Sequence, residues 1–125
     1  MTRITPTDLL TYLDTNWDTL IIAKPALVNQ FENEMIQGDH TIACNWANVD
    51  YTPQSTGKDE ERNYLTLQVK ESTLANLLLS WDHARDLVKA KSIAGGWYHV
   101  PTANPIKVGA YYMVFLTVIE IRGIV

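Results

Sequence analysis

The chain has 125 residues, of which 46% are hydrophobic and 19% are charged, and its formal net charge is −4. This length is typical of one domain, residues 1–125, with a core large enough to fold without covalent or metal cross-links. The ten basic residues are scattered along the sequence. They offer no cluster to a phosphate backbone, so nucleic acid is not an expected partner. The single Cys44 excludes an internal disulfide.

The sequence shows no membrane signal. Its N-terminal residues MTRITPTDLL lack the apolar core of a signal peptide, and no stretch reaches the roughly 18 apolar residues of a membrane span. These patterns predict a protein made in the cytoplasm, with no membrane partner.

The first helix is predicted by its N-terminal residues. Thr5 is a favourable N-cap, Pro6 suits the first helical position, and Asp8 lies in the first turn. Apolar residues then recur at helical spacing, namely Leu9, Leu10, Leu13 and Trp17. We expect a helix from about Pro6 to Asp18 with one buried face.

Extended segments follow the first helix. We expect a short strand at about 26–31 and a longer one at 40–49, and residues 64–71 alternate between apolar and polar side chains. The fourteen residues 50–63 are polar or turn-forming, apart from one tyrosine. They predict a long hairpin loop between two antiparallel strands.

A second helix is predicted from a cap at Ser72 to about Lys91, followed by a short strand around 97–100. Its inward stripe is expected to contain Leu74, Leu77, Leu78, Trp81, Ala84 and Val88. At about 100° per residue, Leu79 and Leu87 lie on nearly the opposite side. This second apolar stripe indicates a contact with another surface.

The chain ends in VGAYYMVFLTVIEIRGIV, in which no residue from Val108 to Ile119 is charged. The β-branched and aromatic residues favour a strand, and apolar residues on both of its faces indicate that both faces are covered. Two helices can cover one face. We expect another copy of the chain to cover the other, with Tyr112, Val114 and Leu116 as candidate contacts. The alternative is the central strand of a small barrel within one chain.

The charged end of the predicted hairpin loop has two interpretations. It is either a solvated loop or a segment that orders against a neighbouring subunit, where mixed charges set register. The residues concerned are Lys58, Asp59, Glu60, Glu61 and Arg62.

No group of residues predicts catalysis, a metal or a cofactor. His40 and Cys44 share a strand face, but four residues place them about 13 Å apart, too far for a base and its thiol. Near His83, the charged residues Asp82, Arg85 and Asp86 fit solvated charges or local ion pairs. Ser55 and Lys58 match a Ser-x-x-Lys pattern without its companion motifs.

These elements give an α+β chain with a mostly antiparallel sheet, two helices on one face, a long hairpin loop and a long C-terminal strand. That order and length resemble the tail terminator and head-to-tail completion proteins of long-tailed bacteriophages. The closest segments are DEERNYLTLQVKE, entering the second helix, and the terminal YYMVFLTVIEIRG. The resemblance implies a non-enzymatic virion protein. It forms a ring, commonly of six copies, that caps the tail tube and joins it to neck proteins.

Two other classes of function stay open at the level of sequence. A small dimeric ligand-binding or regulatory module would have a closed apolar pocket near Trp46, Trp97 and Tyr111. An enzyme would have to use residues to which no catalytic role is assigned above, and alanine at His40, His83 and His99 would then abolish its activity.

Overall fold

The computed structural model describes residues 3–31, 39–52, 59–93, 98–99 and 105–124. Within these ranges, two helices, α1 (Pro6–Asn16) and α2 (Leu74–Ile93), pack on one face of a six-stranded sheet. The strands are β1 (Ala26–Asn29), β2 (Thr41–Thr52), β3 (Asp59–Glu71), β4 (Tyr98–His99), β5 (Ile106–Val108) and β6 (Tyr111–Ile124). The predicted α+β class is confirmed.

The sheet has the strand order β1-β2-β3-β6-β4, and β5 also pairs with β6. β1 is parallel to β2, and the other pairs are antiparallel. In the longest pair, Val69, Leu67 and Leu65 of β3 lie opposite Val114, Leu116 and Val118 of β6. This register places the even-numbered residues of β6 on the same face as the apolar residues of β3.

The core lies between the helices and this inner face of the sheet. The helices contribute buried residues such as Leu9, Leu13, Leu77 and Val88, and the strands contribute Ile42, Cys44, Leu65, Leu67, Val69, Val114, Leu116 and Val118. Burying a large aliphatic side chain contributes roughly 1.5–3 kcal/mol. The opposite face, called the outer face below, has no helix against it among the described residues.

Helix α1 begins as its sequence predicts. The Thr5 hydroxyl accepts from the Asp8 amide at 3.2 Å, and the Thr5 amide donates to Asp8 Oδ2 at 2.8 Å, so two otherwise unpaired donors are satisfied. The helix ends at Asn16, two residues before the predicted end, because Trp17 is extended.

Helix α2 is rotated relative to the predicted stripe. Leu77, Ala84 and Val88 are buried as expected, but Leu74 and Leu78 are exposed. Ser80 and His83 are buried instead, because they bind Glu71 and Asp18, respectively. The cap is Thr73 rather than Ser72, since the Thr73 hydroxyl accepts from the Asn76 amide at 3.2 Å.

The predicted hairpin loop is wrong at both ends. β2 continues to Thr52 and β3 starts at Asp59, so part of the expected loop forms antiparallel ladder, and residues 53–58 lie outside the described part of the chain. Strand β5 was not predicted. It pairs with β6 through a two-residue turn at Gly109 and Ala110, where Gly109 has a φ of +60° that glycine adopts without strain.

Candidate assembly surfaces

The outer face of β6 is apolar and solvent-accessible. Phe115 is 42% exposed, and Ile121, also on this strand, is exposed as well. Around them lie the half-buried or exposed residues Ile106, Val108, Tyr111, Met113, Thr117 and Ile119. An apolar strip of this length is unusual on a monomer surface and is typical of an interaction site.

Strand β3 borders this strip with polar side chains. Lys70 Nζ lies 4.1 Å from the centroid of the Tyr111 ring, and Gln68 Nε2 donates to Met113 Sδ at 2.9 Å. The charged side chains that the structure describes on the outer face of β3 are Arg62 and Lys70, which are both basic. The strip is therefore apolar and is bordered on β3 by polar and basic side chains, with Asp50 of β2 opposite Arg62 in the register.

The sequence analysis assigned the faces of the last strand wrongly. Val114 and Leu116, expected to contact another copy, are buried in the core of the same chain, and Tyr112 packs against that core. Both faces of the strand are apolar, so its own sequence did not distinguish them. Pairing with β3, whose apolar side is unambiguous, decides which face is inward.

The two leucines assigned to the second stripe of α2 differ in their exposure to solvent. Leu79 is exposed, with 44% of its surface accessible, as predicted. Leu87 is half-buried against the core, and its carbonyl accepts a 2.6 Å hydrogen bond from the Tyr12 hydroxyl, so it is not part of a free outer stripe.

The turn after α1 carries two exposed aliphatic side chains that the sequence analysis did not single out. Leu20 is 94% exposed and Ile21 is also exposed. The sequence signal was the apolar run from Leu20 to Ala23 ahead of Pro25, a segment interpreted only as extended chain.

The charged residues of the expected loop lie mainly in β3. Lys58 is outside the described residues, and the backbones of Asp59 and Glu60 pair with β6.

Glu61 is buried and binds the Arg3 guanidinium, with Arg3 Nε donating to Glu61 Oε1 at 2.8 Å. This hydrogen bond and the charge of Glu61 raise the pKa of Arg3. Arg62 is exposed on the outer face, where the register places it opposite Asp50 of β2 and Ile121 of β6.

The N-terminal segment covers a polar end of the inner face. The Ile4 amide donates to Glu120 Oε1 at 3.0 Å, and Asn63 Nδ2 donates to the Ile4 carbonyl at 2.9 Å. Trp46 Nε1 donates to Asn63 Oδ1. Buried polar groups are thus paired with one another, as the cost of desolvation requires.

A buried carboxylate joins the sheet to α2. Glu71 is 1% exposed, and its Oε2 lies 2.6 Å from His40 Nδ1 and accepts from the Ser80 hydroxyl at 2.9 Å. His40 Nε2 donates to the Ala23 carbonyl at 2.7 Å. The Ser80 hydroxyl is buried and donates its hydrogen bond to Glu71. This arrangement holds α2 against the sheet and does not expose Ser80 as a nucleophile.

The other titratable side chains considered in the sequence analysis also make contacts within the fold. His83, which helical spacing places on the face of α2 opposite the stripe that contains Trp81, is buried, and its ring packs edge-on against Trp17 with centroids 4.5 Å apart. Asp82 and Asp86 form the predicted local ion pairs with Arg85, at 3.2 and 3.6 Å. Burial raises the pKa of Cys44 to about 12.

Among the described residues, no group of three or more His, Cys, Asp or Glu side chains is arranged to hold a metal ion. His99, whose role the sequence left open, pairs through its backbone with Val118.

The pocket expected of a ligand-binding module does not form from Trp46 and Tyr111. Trp46 lies on the inner face, bonded to Asn63, whereas Tyr111 lies on the outer face beneath Lys70. Trp97 is outside the described residues. A shallow groove of about 220 Å³ lies elsewhere, lined by Leu10, Thr11, Asp14 and Leu27.

Comparison with known protein families and with curated proteins finds no match to this chain. In the part of the chain that the structure describes, neither helix is both long enough and apolar enough to cross a membrane.

Proposed function

We propose that this protein is a structural subunit that assembles into a ring, of the type formed by phage tail terminator and head-to-tail completion proteins. In that role it would cap a tail tube, contact neck proteins and belong to the virion. The proposed activity is assembly, without catalysis.

The observation that carries this proposal is the exposed apolar outer face of β6. The inner face is filled by α1 and α2, whereas Phe115 and Ile121 on the outer face of β6 are exposed. The outer face is not exposed throughout, because Thr41 and Ala43 of β2, which the register places on it, are buried. Removing exposed apolar area from water contributes roughly 25 cal/mol per Å². Contact with another copy of the chain would supply that burial.

The element order supports the same proposal. A helix, a short strand, a long antiparallel pair, a second helix and a long final strand are present in the order on which the resemblance to tail terminators rests. In addition, the histidines His40 and His83 are engaged in structural contacts, which favours an assembly role over an enzyme.

Adjacent residues of β6 provide a matched test of the proposal. Phe115→Asp places a charge on the exposed outer face, so the variant should stay folded while the concentration needed for assembly rises by about tenfold or more, equivalent to about 1.4 kcal/mol. Sedimentation velocity across a concentration series measures this shift.

Val114→Asp is the control for this substitution. It buries an unpaired charge in the core, so it should unfold the chain rather than simply dissociate it. A Phe115→Asp variant that assembles as readily as the unmodified protein would contradict the role of the outer face.

A further inference from the structure

We propose that two histidines hold the segment between α1 and β1, and that protons control them in opposite senses. His83 of α2 binds the Asp18 end of this segment, and His40, just before β2, binds the Ala23 end. Each histidine keeps its contact in only one state of protonation. The segment is therefore held at both ends only in a window of pH around neutrality. This inference does not depend on the proposed function.

The His83 end needs a neutral ring. Its Nε2 accepts from the Asp18 amide at 2.9 Å, so this nitrogen carries no hydrogen and the ring proton is on Nδ1. Protonating the ring places a second hydrogen on Nε2, facing the N–H group of Asp18. The ring is buried against Trp17, so the lost hydrogen bond is not replaced by water while the ring stays in place. Acidification therefore opens this end.

The His40 end needs one proton shared between two side chains. The Ala23 carbonyl can only accept, so His40 Nε2, which lies 2.7 Å away, carries a hydrogen. His40 Nδ1 lies 2.6 Å from Glu71 Oε2, and a hydrogen bond between these two atoms requires a proton on one of them. The pair is either an imidazolium with a carboxylate or a neutral imidazole with a carboxylic acid. In both forms its net charge is zero.

Loss of that proton breaks the His40 end. Glu71 is 1% exposed, and among the described residues its other side-chain partner is the Ser80 hydroxyl, which donates at 2.9 Å. A deprotonated pair sets a buried carboxylate against the lone pair of the ring, which is costly in a site that excludes water. The left-handed φ of His40, +54°, adds strain that its ring contacts no longer offset. A rise in pH therefore opens this end.

The charged groups near the His40 end have partners of their own or lie away from it. Lys24, next to Ala23, pairs with Asp14 of α1 at 3.0 Å. Lys70 of β3 lies over the Tyr111 ring on the outer face. Tyr112 of β6, opposite Glu71 in the register, has Lys107 Nζ 5.4 Å from its ring centroid. Asp39 is exposed.

The charged groups near His83 are similarly engaged. Asp82 and Asp86 of α2 pair with Arg85, at 3.2 and 3.6 Å. The Asp18 carboxylate accepts from the Leu20 amide at 2.9 Å. The ring of His83 therefore meets the Asp18 amide on one side and the Trp17 ring on another.

The unfolded chain fixes the direction of both effects, because its histidines release their protons at about pH 6.5. Above that pH, the folded His40–Glu71 pair holds a proton that the unfolded chain lacks, so stability falls as pH rises. Below it, the unfolded chain binds a proton at His83 that the folded chain excludes, so stability falls as pH decreases. Each effect changes the unfolding equilibrium constant by up to about tenfold per pH unit, the limit for one proton.

Two conservative variants separate the ends. Glu71→Gln supplies an amide N–H that donates to a neutral His40 ring without titrating, so it should remove the loss of stability above neutral pH and keep the loss below it. His83→Gln supplies an amide oxygen that accepts from the Asp18 amide, and should do the reverse. His99→Gln changes the third histidine and should keep both losses.

Urea unfolding at one protein concentration, from pH 5 to pH 9, measures these profiles. The upper limit avoids ionisation of the Cys44 thiol, whose pKa is raised to about 12. A loss above neutral pH that persists in Glu71→Gln overturns the role of His40, and a loss below it that persists in His83→Gln overturns that of His83. A flat profile of the unmodified protein overturns both.

Nuclear magnetic resonance of the unmodified protein gives a second test that does not need the variants to fold. The ring ¹⁵N chemical shifts at pH 7 should show His83 protonated on Nδ1 alone and His40 protonated on Nε2. A hydrogen on His83 Nε2, or none on His40 Nε2, overturns the inference. None of these outcomes bears on whether copies of the chain assemble, so the proposed function is tested separately.

Discussion

His40 has a backbone conformation that depends on its side-chain contacts. Its φ of +54° lies in the left-handed region, which costs a non-glycine residue roughly 1–2 kcal/mol. The bonds from its ring to Glu71 and to the Ala23 carbonyl offset this cost. One residue therefore joins the start of β2, the end of β3 and the chain between α1 and β1.

This role predicts an order of stabilities at position 40. His40→Ala keeps the backbone strain and leaves the buried Glu71 carboxylate without its ring partner, so we expect a loss of about 1–3 kcal/mol. His40→Gly loses the same bonds but relieves the strain, and should be less destabilised. Urea unfolding measures both. Asp39→Ala, at the exposed neighbouring position, is the control. If His40→Gly were less stable than His40→Ala, the strain argument would be contradicted.

Cys44 provides a prediction about pH. Burial raises its pKa from 9.0 to about 12, so above about pH 9 the unfolded chain releases the thiol proton before the folded chain does. The thiol contribution should therefore lower the free energy of unfolding as the pH rises from about 9 to about 12. Comparing urea unfolding of the protein with that of Cys44→Ala isolates this effect. Identical pH dependences would contradict it.

At the level of the helix, the capping hydrogen bonds of α1 predict how much stability the chain loses when the Thr5 hydroxyl is removed. Thr5→Ala removes the acceptor for the Asp8 amide and should lower stability by about 0.5–2 kcal/mol. Thr15→Ala is the matched control, since Thr15 is exposed within the helix and alanine has the higher helix propensity. Thermal unfolding compares the two, and an equal loss of stability in both variants would contradict the capping role.

The helices and most strands were predictable because their signals are local. The N-cap at Thr5, the apolar spacing of α1 and the alternation in 64–71 each follow from adjacent residues. The face of β6 was not predictable, because both of its sides are apolar and the inward one is chosen by pairing with β3. The rotation of α2 was missed for a related reason: Ser80 and His83 are buried by partners distant in sequence.

The exposure of Leu20 and Ile21 in the turn after α1 also depends on contacts distant in sequence. Leu20 and Ile21 resemble ordinary apolar residues in the sequence, and the position of the turn is fixed by the hydrogen bond from the Asp18 amide to His83 of α2 and by the packing of Trp17 against the same ring. The charged run from Lys58 to Arg62 was expected in a loop, but from Asp59 onward the chain forms the antiparallel ladder of β3.

At the scale of the whole molecule, the described residues expose apolar side chains that the core does not use. They include the strip around Phe115 on the outer face of β6, and Leu20 and Ile21 in the turn after α1. A monomer that exposes such surfaces is prone to association, and the proposed assembly would bury the strip around Phe115.

The mass of the purified protein, measured by light scattering across a tenfold range of concentration, tests the assembly proposal most directly. We predict either a discrete closed assembly of several copies, commonly six in the proteins that the chain resembles, or monomers that convert to that assembly as concentration rises. A strict monomer at every concentration would contradict the proposal, because the outer face of β6 would then remain in contact with water.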